Sequence, residues 1–177
     1  MEKVTGCVHI YCGDGKGKTT AATGLAVRAA GRGKRVLIIR FLKTDDSGEV
    51  FILKQIPGIE VIPCEKSFGF TFRMTPEIKK EASAWYQKQL EIVCSRAVKE
   101  QFDLVVMDEI MAACSTGLVK EDTLAEFLKN RPQWMEVVLT GRNPSAQLLA
   151  LADYVSEIRP VKHPFEKGIG AREGIEY

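Results

Sequence analysis

A glycine-rich stretch with two lysines and two threonines, residues 13–20, has the composition of a phosphate-binding loop. Glycines let the backbone turn tightly enough for several N–H groups to face anionic oxygens, and a following helix adds its positive N-terminal end. Lys18 would supply a point charge to a polyphosphate, and Thr19 a hydroxyl suited to a magnesium ion. We therefore expect the following residues to hold phosphate: Gly13, Asp14, Gly15, Lys16, Gly17, Lys18, Thr19 and Thr20.

The spacing of this loop differs from the usual pattern, in which the first glycine stands five residues before the last one. Cys12 occupies that position, and Gly13 and Gly17 enclose only three residues, so the loop is one residue short. A glycine-rich turn between a strand and a helix, without any ligand, is the alternative interpretation. The sequence Gly-Lys-Thr-Thr at residues 17–20 favours the phosphate loop, because it stands where a strand would end and a helix begin.

Two adjacent acids, Asp108 and Glu109, follow the apolar residues 104–107. In phosphate-loop proteins the acid that organises magnesium stands at the end of such a strand, close to the loop threonine. The alternative is a pair of acids that caps a helix. We favour the metal site, formed with Thr19, and expect the ion to keep several waters.

Positive charge is concentrated near the loop, since residues 13–43 include eight basic residues and one acid. A positive field at a polyphosphate site and a solvated basic helix end both account for this pattern. Arg142 lies in the turn Gly-Arg-Asn-Pro at residues 141–144. It either neutralises a phosphate or is an exposed arginine in a tight turn, and its local sequence favours neither.

Aromatic residues occupy every second position in the segment Phe68-Gly69-Phe70-Thr71-Phe72. A strand with one buried aromatic face would produce this alternation. The segment lies in the long stretch between Lys43 and Thr75, however, and Gly69 adds no strand propensity. We therefore expect an aromatic cluster on a loop, which suits a flat apolar ligand.

Apolar runs and helix-prone runs alternate along the chain, which predicts an α/β fold with an open, mostly parallel sheet flanked by helices. The predicted strands are residues 8–12, 35–42, 59–62, 102–109, 135–140 and 154–159, and the predicted helices are 21–32, 75–99, parts of 110–130 and 145–152. One face of the long second helix is predicted to comprise Ile78, Ala82, Trp85, Gln89, Val93 and Ala97. The rest of 43–75 is predicted to be irregular, and the tail 160–177 to be an extended loop. Ligands of such sheets bind at the carboxyl ends of the strands, which gathers the candidate residues on one rim.

The size and composition of the chain predict a single domain over residues 1–177. The net charge of +2 and the lack of an evident basic track argue against a nucleic-acid partner. The five cysteines are scattered and include no CxxC pair, as expected for free thiols in a cytoplasmic protein. No apolar run is long enough to span a membrane and no signal peptide is visible, so a membrane partner is not expected.

Nearly the whole chain resembles the ATP:corrinoid adenosyltransferases that are built on a RecA-like phosphate-loop fold. The resemblance rests on residues 13–22, 40–43, 69–72, 105–109, 139–142, 152–163 and 174–177. It implies transfer of the 5′-deoxyadenosyl group from ATP to the reduced cobalt of a corrinoid, with release of triphosphate, in adenosylcobalamin synthesis or salvage. The family binds ATP in a reversed orientation across the loop, which accounts for the missing residue at Cys12.

The resemblance also implies roles for individual residues. The loop 13–20 would bind the triphosphate, with Lys18 and Thr19 as catalytic groups and with Arg28 and Arg142 nearby. Thr19, Asp108 and Glu109 would hold magnesium or manganese. Phe70 and Phe72 match two aromatics that press on the lower face of the corrin, displace its axial ligand and ease its reduction, although the family often has Trp at the second position.

An external reductant such as a flavoprotein, and a homodimer, are implied by the same resemblance. Two other functions remain open. The first is a phosphoryl-transfer enzyme, an ATPase or kinase in which Glu109 aligns water or a hydroxyl. The second is a non-catalytic protein that binds a nucleotide or a corrinoid.

Overall fold

The computed structural model describes residues 5–69 and 71–176, and the elements below are those of this part of the chain. The strands are β1 (Val8–Cys12), β2 (Val36–Arg40), β3 (Ile59–Val61), β4 (Leu104–Asp108), β5 (Glu136–Thr140) and β6 (Tyr154–Glu157). The α-helices are α1 (Lys18–Ala30), α2 (Gly48–Leu53), α3 (Pro76–Lys99), α4 (Ile110–Ser115), α5 (Glu121–Asn130) and α6 (Ala146–Leu151). Short 3-10 helices span Thr71–Arg73 and Pro164–Lys167.

The strands form one sheet in the order β3-β2-β4-β5-β1-β6, and each pairing between neighbours in the described residues is parallel. Successive strand residues point to opposite faces, and each face carries its own buried cluster. Helices α1 and α2 cover one face, while α3, α4, α5 and α6 cover the other. This confirms the predicted open parallel sheet flanked by helices.

All five residues of β2 and all five of β4 are buried, as their apolar runs predicted. Helix α1 begins at Lys18, three residues before the predicted start at Ala21. The prediction that 43–75 is irregular apart from one strand was wrong at residues 48–53, which form α2. This helix is held by Val50 and Leu53, two buried side chains that are too few to give a periodic signal in the sequence.

Helix α3 begins after its predicted cap, where the Thr75 side chain accepts a hydrogen bond from the N–H of Ile78. Its buried stripe is rotated from the predicted one. The stripe comprises Ala82, Tyr86, Leu90, Val93 and Ala97, while Ile78 is 40% exposed. In the described part of the chain, neither α3 nor any other helix is long and apolar enough to cross a membrane.

The sheet brings the candidate residues to one edge, as the rule for parallel sheets predicted. Arg40 at the end of β2 is in register with Asp108 at the end of β4. Thr140 at the end of β5 is in register with Tyr11 of β1, one residue before the end of that strand. The loop 13–17, which follows β1, therefore emerges beside the ends of β5 and β6.

Candidate active site

The loop between β1 and α1 is shaped by the chain that follows β6. The N–H of Gly15 donates to the carbonyl oxygen of Ile158 over 2.8 Å. A Cβ atom on Gly13 would lie 2.5 Å from the same oxygen, and Gly13 has a φ of 104°. Glycine is therefore required at Gly13 both for its backbone conformation and for the close approach of Ile158. This constraint on the loop was not visible in the sequence.

Lys18 lies inside the loop and is 8% exposed. Its Nζ donates to the carbonyl oxygen of Gly15 over 2.9 Å. Burial and then the charge of Arg142 lower the pKa of Lys18, while nearby acids including Glu109 oppose that shift. The loop thus surrounds a poorly hydrated ammonium group, which suits the binding of an anion.

Thr19 and Asp108 meet at the centre of the site, as the sequence predicted. The Thr19 hydroxyl donates to Asp108 Oδ1 over 2.9 Å. The Thr140 hydroxyl donates to the same oxygen over 2.6 Å and accepts from the backbone N–H of Glu109 over 2.9 Å. Thr140 therefore fixes the carboxylate of Asp108 and the turn after it.

Lys43 completes this cluster. Its Nζ donates to Thr19 Oγ1 over 2.9 Å and to Asp108 Oδ2 over 2.6 Å. Sequence reasoning assigned no role to Lys43 or to the Thr140 hydroxyl. The rule for parallel sheets places residues 41–44 and 140–143 on this rim, but it assigns no function to an individual side chain.

The residues at this position fit a small divalent cation. The Thr19 hydroxyl and the Asp108 carboxylate are oxygen ligands of the kind magnesium and manganese prefer, and they already hold one cation, the Lys43 ammonium. Residues 5–69 and 71–176 contain no cluster of three or more His, Cys, Asp or Glu side chains that could hold a metal. Magnesium is usually bound through one or two protein carboxylates with phosphate and water, so this finding agrees with such a site.

Glu109 takes a left-handed backbone conformation, with a φ of 58°, directly before α4. Its backbone N–H donates to the Thr140 hydroxyl, which holds Glu109 beside Asp108, and its charge opposes the lowering of the Lys18 pKa. The structure therefore brings Glu109 to the site.

The two arginines predicted near the phosphates differ in position. Arg142 forms an ion pair with Asp14 of the loop over 3.3 Å, and both side chains are well exposed. Arg28 lies in the last turn of α1, ten residues after Lys18 and about 15 Å from it along the helix axis. The structure brings Arg142 to the loop and does not bring Arg28 there.

In the described part of the aromatic segment, Phe68 and Phe72 do not lie on one face of a strand. Phe68 packs inward, with its ring centroid 6.0 Å from that of Trp85 and 5.8 Å from that of Tyr86. Phe72 lies in the 3-10 helix Thr71–Arg73 and is 78% exposed. Phe70 lies outside the described residues.

A cavity of about 690 Å³ opens beside the cluster. Its walls come from four parts of the chain: residues 19–23 of α1, residues 42–49 after β2, Ser67 and Gly69, and the C-terminal residues 174–176. The cavity therefore extends from the phosphate loop to the aromatic segment.

The C-terminal tail contacts the loop directly, which sequence reasoning missed. Glu176 forms an ion pair with Lys16 over 2.8 Å and another with Arg172 over 3.1 Å. The hydrogen bonds from Arg172 and then Lys16 lower the pKa of Glu176 to about 2. Glu176 is therefore paired with Lys16, a residue that the sequence predicts to bind phosphate.

Arg40 supports the segment that carries Lys43. Its side chain is buried, and its Nη2 donates to Asp45, which also accepts from Lys54 and from the N–H of Cys64. Arg40 Nε and Nη1 are buried without a hydrogen-bond partner in the described chain. Arg40 also lines a second cavity, of about 10 Å³, which has room for about one water.

Comparison with known proteins identifies the family. The family model described as ATP:corrinoid adenosyltransferase BtuR/CobO/CobP matches residues 4–177. The chain belongs to the ATP:corrinoid adenosyltransferase family. The resemblance inferred from the motifs is thereby confirmed.

Known members of the family are similar in sequence to almost the whole of this chain. It is 34% identical over 173 residues to the corrinoid adenosyltransferase of Escherichia coli K12, covering 97% of this chain and 86% of that protein. It is 34% identical to the corrinoid adenosyltransferase CobA of Salmonella typhimurium, with the same coverage, and 31% identical to the corrinoid adenosyltransferase of Pseudomonas aeruginosa, covering 97% of this chain and 84% of that protein.

Solved structures with a similar fold are more distant in sequence. A KaiC-like protein of Pyrococcus horikoshii has a TM-score of 0.51 at 16% identity, over 88% of this chain and 72% of that one. The ATPase 2 and 3 region of EssC from Geobacillus thermodenitrificans has a TM-score of 0.52 at 12% identity, over 97% of this chain but only 36% of that one. At these identities the likeness supports the phosphate-loop fold alone.

Proposed function

We propose that this chain transfers the 5′-deoxyadenosyl group of ATP to the reduced cobalt of a corrinoid and releases triphosphate. Corrinoid adenosyl transfer, a step of cobalamin biosynthesis, is the activity of its family. The observation that carries the proposal is the cavity of about 690 Å³, which Thr19 and Thr20 border on one side and Gly69 on the other. Two substrates that react with each other need a common space of this kind.

The proposed reaction needs no protein base. The electron pair of Co(I) attacks C5′ of ATP and forms the cobalt–carbon bond, while the bond from C5′ to oxygen breaks and its electrons leave with triphosphate. The protein has two tasks, which are to position the reactants and to stabilise the negative charge that grows on the leaving group. Both tasks match a site rich in N–H groups and ammonium groups.

We infer that the triphosphate binds residues 13–20, with the buried ammonium of Lys18 as the main positive charge. The exposure of Arg142 beside Asp14 leaves its guanidinium able to turn toward the same phosphates. Arg28 remains a prediction without geometric support, because about 15 Å of helix separates it from Lys18.

We infer that magnesium or manganese binds at Thr19 and Asp108, with Glu109 beside them. When bound, the ion would add positive charge at the departing triphosphate. The contribution of the chain is to hold the ligands in place: Thr140 orients Asp108 through its 2.6 Å hydrogen bond, and Asp108 orients the Thr19 hydroxyl.

We infer that Phe70 and Phe72 contact the lower face of the corrin and displace its axial ligand. The 78% exposure of Phe72 supports this role, because a flat apolar ligand can cover a largely exposed aromatic ring. The guanidinium of Arg73 lies 5.4 Å from the centroid of this ring. A Co(II) corrinoid without its lower ligand is easier to reduce to Co(I). An external reductant such as a flavoprotein would supply the electron for this step.

Assembly and location complete the proposal. Tyr154 and Val155 are exposed on the edge strand β6, which supports a homodimer formed through that edge. All five cysteines are free, which supports a reducing, cytoplasmic location. The two core clusters share one sheet, which supports a single domain over residues 1–177.

The function is tested by mixing the protein with magnesium ATP and chemically reduced cobalamin. The visible spectrum of the corrinoid reports alkylation of cobalt, and chromatography identifies the phosphate product. We expect alkylated cobalt and an equal amount of triphosphate. ADP without alkylated cobalt would indicate a phosphoryl-transfer enzyme, and binding of ATP without any reaction would indicate a binding protein.

A further inference from the structure

Asp108 forms an ion pair with Lys43, and no other ion pair of Asp108 occurs in residues 5–69 and 71–176. The Asp108 side chain is 1% exposed, whereas that of Lys43 is 29% exposed. A carboxylate this deeply buried is costly without a compensating positive charge. Lys43 supplies that charge from the wall of the large cavity, which it lines.

The ammonium of Lys43 binds the same two side chains that would hold the metal. It lies 2.9 Å from Thr19 Oγ1 and 2.6 Å from Asp108 Oδ2. Magnesium coordinates such oxygens at about 2.0–2.1 Å. If the ammonium stayed hydrogen-bonded to both oxygens, it would lie only a few ångströms from the bound metal ion. The two cations would then repel each other strongly. One of them must leave before the other is bound.

Lys43 is the partner that can move. Asp108 ends a fully buried strand, and its Oδ1 is held by Thr140. Lys43 stands beyond the end of β2 on a flexible four-carbon stem, after Leu42 with a φ of 57°. Its side chain borders the cavity, where phosphate oxygens would offer its ammonium new acceptors.

We propose that the Lys43 ammonium is a built-in counter-cation of the metal site in the free protein. A divalent ion must displace this ammonium, so Lys43 weakens the binding of the ion before ATP is bound. The triphosphate draws the ammonium away from Asp108, so the metal enters as its complex with ATP. The inference rests on the proposed function only in taking ATP as the nucleotide. Its consequences concern the free protein and require no corrinoid.

The test measures binding of Mn²⁺ alone to the protein without nucleotide, from the electron paramagnetic resonance signal of free Mn²⁺. Lys43→Met and Lys43→Gln remove the charge and should tighten Mn²⁺ binding at least about tenfold, because a close like charge in a partly buried site is lost. Lys43→Arg retains the charge and should bind as weakly as the wild type. Lys34→Met is the matched control, because it also removes one lysine charge from an ion pair, the exposed pair with Asp103. This pair lies before the amino ends of β2 and β4, so its loss should leave the affinity for Mn²⁺ unchanged.

A purely structural role of Lys43 predicts the opposite result. If Lys43 only held the site together, its removal would weaken Mn²⁺ binding. Unchanged or weaker binding in both neutral variants would therefore overturn the proposal. Should the neutral variants unfold, we expect Mn²⁺ to refold them, and failure of Mn²⁺ to do so would equally count against it.

A second substitution identifies the bound oxygens. Asp108→Asn added to Lys43→Met should abolish the gain in Mn²⁺ affinity, and persistence of the gain would mean that Mn²⁺ binds elsewhere and that the proposal is wrong. Absence of adenosyl transfer by the wild type would contradict the proposed function instead, and would leave these binding results as they are.

Discussion

Replacing Thr140 by valine tests whether its hydroxyl organises the site. Thr140 is fully buried at the end of β5. Its hydroxyl donates to Asp108 Oδ1 over 2.6 Å and accepts from the N–H of Glu109 over 2.9 Å. Valine has nearly the same shape and favours strands, so Thr140→Val removes two hydrogen bonds and little packing.

The expected magnitude follows from these two bonds. We take about 2 kcal/mol for the lost hydrogen bond to a charged carboxylate and about 1 kcal/mol for the N–H that is left unpaired. Thr140→Val should therefore lower the free energy of unfolding by about 3 kcal/mol. For a chain of this size that corresponds to a fall in Tm of about 6–12 °C.

Urea denaturation, followed by the fluorescence of the two tryptophans, measures this change. Thr140→Ser is the control, because it retains the hydroxyl and removes one methyl group, at a cost of about 1 kcal/mol. The reasoning is refuted if Thr140→Val unfolds within about 1 kcal/mol of the wild type. It is refuted equally if the serine variant is the less stable of the two.

Four further outcomes are expected. Lys18→Ala should lower kcat for adenosyl transfer by at least about 100-fold, because the leaving triphosphate loses its buried ammonium, while the circular dichroism spectrum stays unchanged. Phe72→Ala should slow the reaction about tenfold from Co(II) cobalamin with a reduced flavin as the electron donor, whereas from pre-reduced Co(I) the rate should stay within about twofold; equal losses from both states would contradict a role in reduction. The pKa of Glu176 is lowered to about 2, so its ion pairs are present above its ordinary pKa and are lost only as the pH falls toward about 2; Glu176→Gln should expose the tail to limited proteolysis at neutral pH, and equal cleavage of both proteins would count against the contact. Cys94 and Cys114 are only partly exposed, and burial raises the pKa of each thiol to about 12, so both should react slowly with Ellman's reagent at mildly alkaline pH until the protein is unfolded; rapid labelling of either residue in the folded protein would contradict this.

Much of the framework could be predicted because its signals are local. The apolar runs that form β2 and β4 are buried on both faces, and such runs can be recognised in the sequence without knowing which strands lie beside them. The order Gly-Lys-Thr-Thr between a strand and a helix, and the two acids after an apolar run, likewise predicted that Thr19 and Asp108 lie close together. Their 2.9 Å hydrogen bond follows from the rule that parallel strands end at one edge.

The remaining contacts depend on register and long-range packing. Lys43 and Asp108 are 65 positions apart, and Lys16 and Glu176 are 160 positions apart. A single sequence does not specify the orientation of a lysine on an irregular segment, because that orientation is set by interactions elsewhere, such as the ion pair between Arg40 and Asp45. Helix α2 was not predicted for a related reason, because a segment of six residues with two buried side chains is too short to show a helical period.

The fate of the C5′ carbon of ATP tests the central claim most directly. The protein is incubated with ATP that carries ¹³C at C5′, a divalent metal and chemically reduced cobalamin, and the products are examined by ¹³C and ³¹P nuclear magnetic resonance. Adenosyl transfer predicts that the labelled carbon is bonded to cobalt and that triphosphate is released in equal amount. Labelled carbon that remains in ADP, with free phosphate and unalkylated cobalt, would contradict it.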